Sequence, residues 1–514
     1  MTRANAAAAP GAGQIKSFLF YGNGGSPLDV SSACTELCYY ESILDDTVRV
    51  TARFVDAGYR NTKSGGGSAA AEKGDLNLTV GEKVEIKITD GKSVELDLSG
   101  DKHLRIELLK NMMEDTNFSV FTVDLFSKES IDNHLEKNRV QQRFDGLISD
   151  HVKKILTDVL KTPKKYKIDS TVNKLSYLPT TTKPFYQCAW FGARSVPDAQ
   201  NSQGNLAGFF FFENYDGYQY RSIDKLFEQT PKKKIIYNEL VEEKVPPGYD
   251  AKCVNYQFNE SFDLNQMLLT GSQMKCNSKS LNVWGSNYRE NSGASINQFQ
   301  QNNIGGKEQP LVASDLKLQD ENTRVFNIPD AVGTVVEGKT LKDQLKKSTF
   351  SVHDNDAILK QSNMRYNNLF TVQVETTIPG DFSLRAGDLL HCDFPEISGK
   401  PTQVVSEKKG GTYLIAELCH RLSKGSCYTR MTLVRESTGR KPMASPNTSP
   451  ASNVQNVSDI SSGGDTATSK NTGSSLSTPT DNSKYDLDFN QPLKGNEKAT
   501  SYSGPTLGDF QTSK

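Results

Sequence analysis

Two doublets, His391-Cys392 and Cys419-His420, place a thiol beside an imidazole, the pairing that nucleophilic catalysis uses. Both lie inside strand-like runs, "DLLHCDFP" and "GTYLIAELCHRLS", where successive side chains point to opposite faces. At most one member of each doublet can therefore enter a given pocket, and structural roles are expected for both. Cys34 and Cys38 lie four apart, but no CxxC pair and no second pair at metal-ligand spacing accompanies them. The eight cysteines are scattered and read as core or partly exposed thiols in a reducing compartment. "YGNGGS" (21–26) has glycines but not the GxxxxGK[ST] pattern of a phosphate loop. HExxH, GxSxG and DxDxDG are absent. A hydrolase acid pair would have to come from Glu129, Asp132, Glu136, Asp145 and Asp150, which all fall on polar faces of a helical stretch. "TPKKYK" (162–167) and "PKKK" (231–234) read as solvated element ends. The expectation is a protein with no catalytic residue, no metal ligand and no cofactor, not an enzyme.

The element that asks for explanation is instead "GFFFFENYDGYQYRSIDKLF" (208–227). A half-buried strand alternates apolar and polar residues, and Phe209, Phe210, Phe211 and Phe212 do not. Phe209 and Phe211 must share one face, Phe210 and Phe212 the other. One pair is expected in a core beside the helices of 147–160 and 184–194. The other needs a cover, either another element of the chain or a second chain, which makes the four residues candidates for core or interface. Asp216-Gly217 is expected as the two-residue turn of a hairpin, and Ser222 as the cap of a short helix.

Around this hairpin the pattern changes several times. Residues 15–126 carry short β-prone runs at 15–21, 47–58, 82–90, 93–99, 103–110 and 118–127, which suggest a small barrel or sandwich. Val84, Ile86 and Ile88 are expected inside, with Glu85, Lys87 and Thr89 outside. "RNTKSGGGSAAAEKGD" (60–75) reads as a flexible insertion. A helical pattern starts at Ser127, and Leu147, Ile148, Val152, Ile155, Leu156, Val159 and Leu160 form one apolar face before Pro163. "KPFYQCAWFGARS" (183–195) is a second, aromatic helix. A strand at 252–258, a helix at 261–270 and strands from 273–290 follow, then a polar stretch (291–345), a helix at 354–370 and further strands to about residue 436. Beyond Arg440, Ser, Thr, Asn and Gly dominate, too polar to bury a core, so this part is expected to be disordered.

Composition sets the class. The 514 residues are too many for one ordinary core, and 35% hydrophobic content is low for a wholly packed chain. Sixty basic residues balance 61 acidic ones, which argues against a dedicated nucleic-acid binder or polybasic membrane protein. No apolar run approaches the ~18–20 residues that span a bilayer, so no membrane insertion is expected. "MTRANAAAAPGAG" lacks the Leu-rich centre of a signal peptide and reads as a frayed start.

The order of these segments resembles the central baseplate hub protein of T-even-like contractile-tailed phages. The C-terminal run carries most of the likeness: a helix into a strand, a turn with "LRAGD", a strand, a loop, then "YLIAELCHRLS" paired with "CYTRMTLVRES". "FFENYDGYQYRSIDKLF" and "FDLNQMLLTGSQMKCNSKSLNVWGSNYRE" are also similar to hub sequence. The resemblance covers roughly 15–436 as an ordered series of segments rather than one motif. It departs at the 60–75 loop, the 291–345 stretch and the tail.

That resemblance implies an α+β chain: two small antiparallel β-barrel domains flanking a mixed α/β central domain, with a disordered C-terminal tail. The corresponding boundaries are a disordered N-terminus at 1–14 and a first barrel at 15–127. The central domain takes 128–270 plus 291–368, with 291–345 as a polar insertion. The second barrel takes 271–290 plus 369–436, and the tail 437–514. It further implies a homotrimer forming a pseudo-sixfold ring in the tail baseplate of a virion, assembled in the host cytoplasm. Its partners would be a trimeric spike or tail lysozyme protein, tail tube or tube-initiator proteins, and baseplate wedge proteins. DNA would pass through the bore without specific binding. A tail-associated peptidoglycan hydrolase with β adhesion domains is the alternative.

Overall fold

The computed structural model describes residues 11–22, 27–56, 78–114, 119–175, 178–198, 207–237, 245–260, 275–282, 287–295, 325–329, 355–370, 372–396, 405–423 and 425–437. These are mostly antiparallel sheet with few helices. The 60–75 loop, the helix expected at 261–270 and the tail beyond 437 lie outside the described residues.

The first strand group runs in the order Cys34–Ser42, Arg49–Asp56, Ser119–Ser127, Leu104–Glu114, Lys83–Thr89 and Gln14–Tyr21, each antiparallel to the next. Alternation explains it. Val84, Ile86 and Ile88 are buried in the core while Glu85 and Lys87 turn outward; Thr89, expected outside, is buried too. Phe18, Phe54 and Phe121 form the aromatic centre, with Phe54 edge-on to Phe18 at 5.0 Å and stacked on Phe121 at 5.2 Å. Cys34–Ser42 was not legible as a strand, because Thr35, Glu36, Cys38 and Tyr40 dilute the apolar positions Leu37 and Tyr39.

The second group closes on itself. Lys233–Ile236 pairs with Leu389–Asp393, which pairs in turn with Gly411–Ser423. The ladder continues through Ser426–Arg435 and Val372–Pro379 to Asn255–Glu260. The run from residue 251 to 260 completes the circuit by changing partners. Ala251–Lys252 lies parallel to Lys233–Ile236, the Cys253 N–H still donates to Ile236 O (2.8 Å), and the Val254 N–H already donates to Thr377 O (2.7 Å). Val372, Val374, Ile415, Leu433 and Cys392 fill its core.

Several expectations are corrected here. The described parts of 271–290 do not join the second group: Lys275–Asn282 pairs with Asn287–Ser295 and, in parallel, with Val325–Pro329 in a separate three-stranded sheet. The place expected for them is taken by 233–236 and 251–260. The start of the chain is not wholly irregular, since Gly11–Ala12 pairs with Cys427 and Ser426. The helical stretch after Ser127 is broken into Lys128–His134, a 3-10 turn at Glu136–Asn138, and Ile148–Lys154 widening into a π turn at Ile155–Val159.

Between the groups lies a small mixed sheet. Tyr166–Ile168 runs parallel to Gly217–Ser222, which pairs antiparallel with Phe209–Asn214. Asn214 pairs with Gly217, so the two turn residues are Tyr215-Asp216 rather than Asp216-Gly217. Gly217 is the first residue of the return strand, with φ +116°, and a Cβ there would stand 2.0 Å from Lys165 O. Ser222 caps the short helix Ile223–Phe227 by accepting from the Lys225 N–H. Pro184–Gly192 begins with proline in its first turn, as expected.

Candidate functional site at the seam between the strand groups

All four phenylalanines are at least nine-tenths buried within the chain. Phe209 and Phe211 pack with Ile148, Val152, Phe185 and Phe191 of the helices. Phe210 and Phe212 pack with Ile223, Leu226, Leu389, Leu414 and Val434, side chains of the hairpin's own helix and the second strand group. Tyr366 of the Asn355–Leu369 helix meets Phe210 edge-on at 5.2 Å and exchanges hydrogen bonds with the Phe209 backbone (2.6 and 3.0 Å). The second face therefore has its cover in the same chain.

The two groups are continuous as well as adjacent. Cys34–Ser42 pairs antiparallel with Gly411–Ser423, from Glu36 opposite Ser423 to Ser42 opposite Glu417. This joins seven strands into one antiparallel sheet: 119–127, 49–56, 34–42, 411–423, 426–435, 372–379 and 255–260. One face of it covers the cores. The other is polar and charge-balanced, with Arg49, Arg53, Arg421 and Arg430 against Glu36, Glu375, Glu417 and Asp124. Glu36 takes Arg421 Nη2 at 2.7 Å and Arg53 Nη1 at 3.6 Å, Glu375 takes Arg430, and Asp124 accepts from the Thr51 hydroxyl at 2.7 Å.

Beneath the seam, the 380–388 turn ties the groups together. Its Phe382 sits in the core of the first group. Asp90 accepts from the Phe382 N–H (2.9 Å), and Lys92 Nζ meets Asp381 at 2.9 Å. Burial pushes the Asp381 pKa up, but hydrogen bonds from Ser383 and Lys92 outweigh it and hold the carboxyl below its ordinary range. Glu41 accepts from the Ala386 N–H (2.8 Å), the Tyr215 N–H (2.7 Å) and the Tyr39 hydroxyl (2.7 Å). Burial raises its pKa against the opposing pull of Arg385. The Arg385 guanidinium donates to the carbonyls of Phe382 and Leu384 and lies 4.5 Å over the Tyr215 ring.

His420 is enclosed in this turn. Its ring packs 4.7 Å from Phe382, and its Nδ1 lies 2.9 Å from Thr429 Oγ1. Thr429 already accepts from the Asp381 N–H (3.0 Å), so its own proton is free for the imidazole. Burial, with Arg385 adding to it, pushes the His420 pKa down to about 3, and the ring is neutral. Cys419, its neighbour, faces the opposite side on the polar surface. His391 and Cys392 divide in the same way: Cys392 enters the second core, and His391 Nε2 stands 3.5 Å from Asp393. Neither doublet forms a thiol–imidazole pair.

A second knot was not foreseen. Lys164 Nζ, 3% exposed, meets Glu213 at 2.6 Å and Glu129 at 2.9 Å. Glu213 also accepts from the Ser127 hydroxyl (2.6 Å) and the Val48 N–H (3.1 Å), fixing the hairpin to the first group. Glu129 is thus buried and paired, not on a polar face as expected. Of the other acidic candidates, Asp145 pairs with Arg143 at 2.6 Å. Asp132 borders an open polar cavity of about 570 Å³ with Lys128 and Lys137. Among the described residues no group of three or more His, Cys, Asp or Glu could hold a metal ion, and no helix is long and apolar enough to cross a membrane.

No family model matches the chain, and no curated protein matches it. Solved structures do. The 43 kDa tail protein of prophage MuSo2 from Shewanella oneidensis is 9% identical, covering 82% of this chain and 98% of its own, with a TM-score of 0.44. A tail protein from Neisseria meningitidis MC58 is 9% identical, covering 83% and 97%, also at 0.44. A chain of the phage P2 baseplate in its activated, calcium-bound conformation is 10% identical, covering 82% and 99%, at 0.28. These three neighbours are tail and baseplate proteins.

Proposed function

We propose that the chain is a structural subunit of a phage tail baseplate hub. The observation that carries this is the seven-stranded sheet running unbroken across two cores with a charge-balanced outer face. In this reading the two strand groups are the two barrels that the resemblance implies, and three chains close a pseudo-sixfold ring with that face turned to the bore. Balanced charge suits a conduit that DNA must leave, since phosphate binding grows with each unneutralised cation. A threefold spike would bind one side of the ring and a sixfold tube the other, with wedge proteins outside. Closed rotational symmetry is the usual outcome for soluble assemblies.

The test is the molar mass of the purified protein, alone and with a trimeric spike protein. Three chains of 56.7 kDa are expected. A monodisperse monomer at micromolar concentration, unchanged by the spike, would sink the ring.

A further inference from the structure

Cys38 and Cys419 meet on the polar face, one from each strand group. Cys38 stands opposite Arg421 and Cys419 opposite Tyr40, so the thiols are diagonal neighbours across the strand pair that joins the groups. Both are partly exposed, and neither is disulfide-bonded. Tyr40, opposite Cys419, shares the exposed face with both thiols, and the three groups influence one another electrostatically. The neighbouring Cys419 thiol, opposed by burial and helped by Tyr40, lowers the Cys38 pKa to about 7, while Cys38 and burial push Cys419 up. The cluster therefore holds one thiol that ionises near neutrality beside one that keeps its proton.

We infer that Cys38 and Cys419 are a redox-active thiol pair, a modification site that a small-molecule disulfide oxidises to a covalent staple across the seam. The inference does not rest on the assembly reading. The Cys38 thiolate attacks one sulfur of the small disulfide, forming a mixed disulfide and releasing one small thiolate. Cys419 loses its proton and attacks Cys38 Sγ, forming the Cys38–Cys419 bond and releasing the second small thiolate. Two protein thiols are oxidised, one small disulfide is reduced to two thiols, and the two protein protons end on the leaving groups. The other described cysteines lack this arrangement. Cys188, Cys253, Cys392 and Cys427 are buried, and burial raises the pKa of Cys34 to about 12.

The test treats the reduced, full-length protein with glutathione disulfide at pH 7.5 and maps linkages by mass spectrometry after trypsin and Glu-C digestion. Cleavage after Glu36 separates Cys34 from Cys38. The expected product is a Cys38–Cys419 linked peptide, formed without loss of the native melting transition. Cys419→Ser should stop at a stable glutathione adduct on Cys38, Cys38→Ser should leave Cys419 unmodified, and Cys34→Ser should change nothing. Alkylation of Cys38 in the unsubstituted protein should show a pH midpoint near 7, which checks the site even if a variant misfolds. The inference is overturned if the unsubstituted protein halts at the Cys38 adduct, if Cys38 links to another cysteine, or if Cys34 reacts first.

Discussion

At the residue scale, His420 makes stability depend on pH. Its folded pKa of about 3 lies below the ordinary 6.5, so between those values the unfolded chain takes up a proton that the folded chain refuses. Stability is lost as pH falls through that window, by up to several kcal/mol at ~1.4 kcal/mol per pH unit. Glu41 works against this, since its raised pKa adds stability as pH falls through its own range; Asp381, held below its ordinary range, loses its contribution only at more acid pH. Urea melts at pH 7 and pH 4.5 should show a marked drop, reduced in His420→Gln; equal slopes for the two proteins would refute the role. The phenylalanines give a second residue-scale prediction. With both faces covered by the chain itself, each Phe→Ala change at 209–212 should destabilise by roughly 3–5 kcal/mol in an isolated protomer. A variant that melts like the parent but fails to assemble would point back to a second chain. Gly387, at φ +88°, should resist alanine for the same reason, because its Cβ would come within 2.9 Å of Phe212 Cζ. The alternation of the four rings was readable from sequence; the identity of their cover was not, because Leu389, Leu414 and Val434 arrive from some 180 residues or more downstream.

At the element scale, the hairpin is anchored by the Lys164 knot. Removing the cation alone leaves two carboxylates facing each other out of water, so Lys164→Met should cost about 3–5 kcal/mol. Neutralising the partners as well, with Glu129→Gln and Glu213→Gln, should recover part of that loss, because no uncompensated charge remains. If the triple variant is no better than the single one, the lysine matters through its packing rather than its charge. None of the three residues announced this role. Glu129 and Lys164 sit in charged runs that read as solvated, and only the fold brings them to Glu213. Strands with strict alternation, such as Lys83–Thr89, were legible except at the end, where Thr89 turns out buried. Cys34–Ser42, which joins the two groups, was missed because its outward residues must be polar to line an exposed face. Residues 252–258 were read as one strand because no local pattern marks the switch of partner at Cys253 and Val254.

At the scale of the molecule, the seam determines whether the two groups unfold separately. Each has its own hydrophobic core, which taken alone would permit two transitions. Three features couple them. A full strand pair crosses the seam, Phe382 leaves the second group's sequence to complete the first group's core, and Glu41 ties the 380–388 turn to the hairpin and the first group at once. Opening either group alone would expose Phe382 or strip Glu41 and Asp90 of buried N–H partners, a penalty of about 1–3 kcal/mol for each unsatisfied group. Calorimetry should therefore show the described body unfolding in one cooperative transition. Phe382→Ala is the discriminating variant: it removes an aromatic ring from the first core while leaving the second core's own side chains in place. It should lower the transition and broaden or split it, the first group melting earlier. Two well-separated transitions in the parent protein would mean that the seam does not couple the groups; a Phe382→Ala variant that shifts a single sharp transition uniformly would mean that the strand pair alone couples them and the 380–388 turn is an ordinary connection.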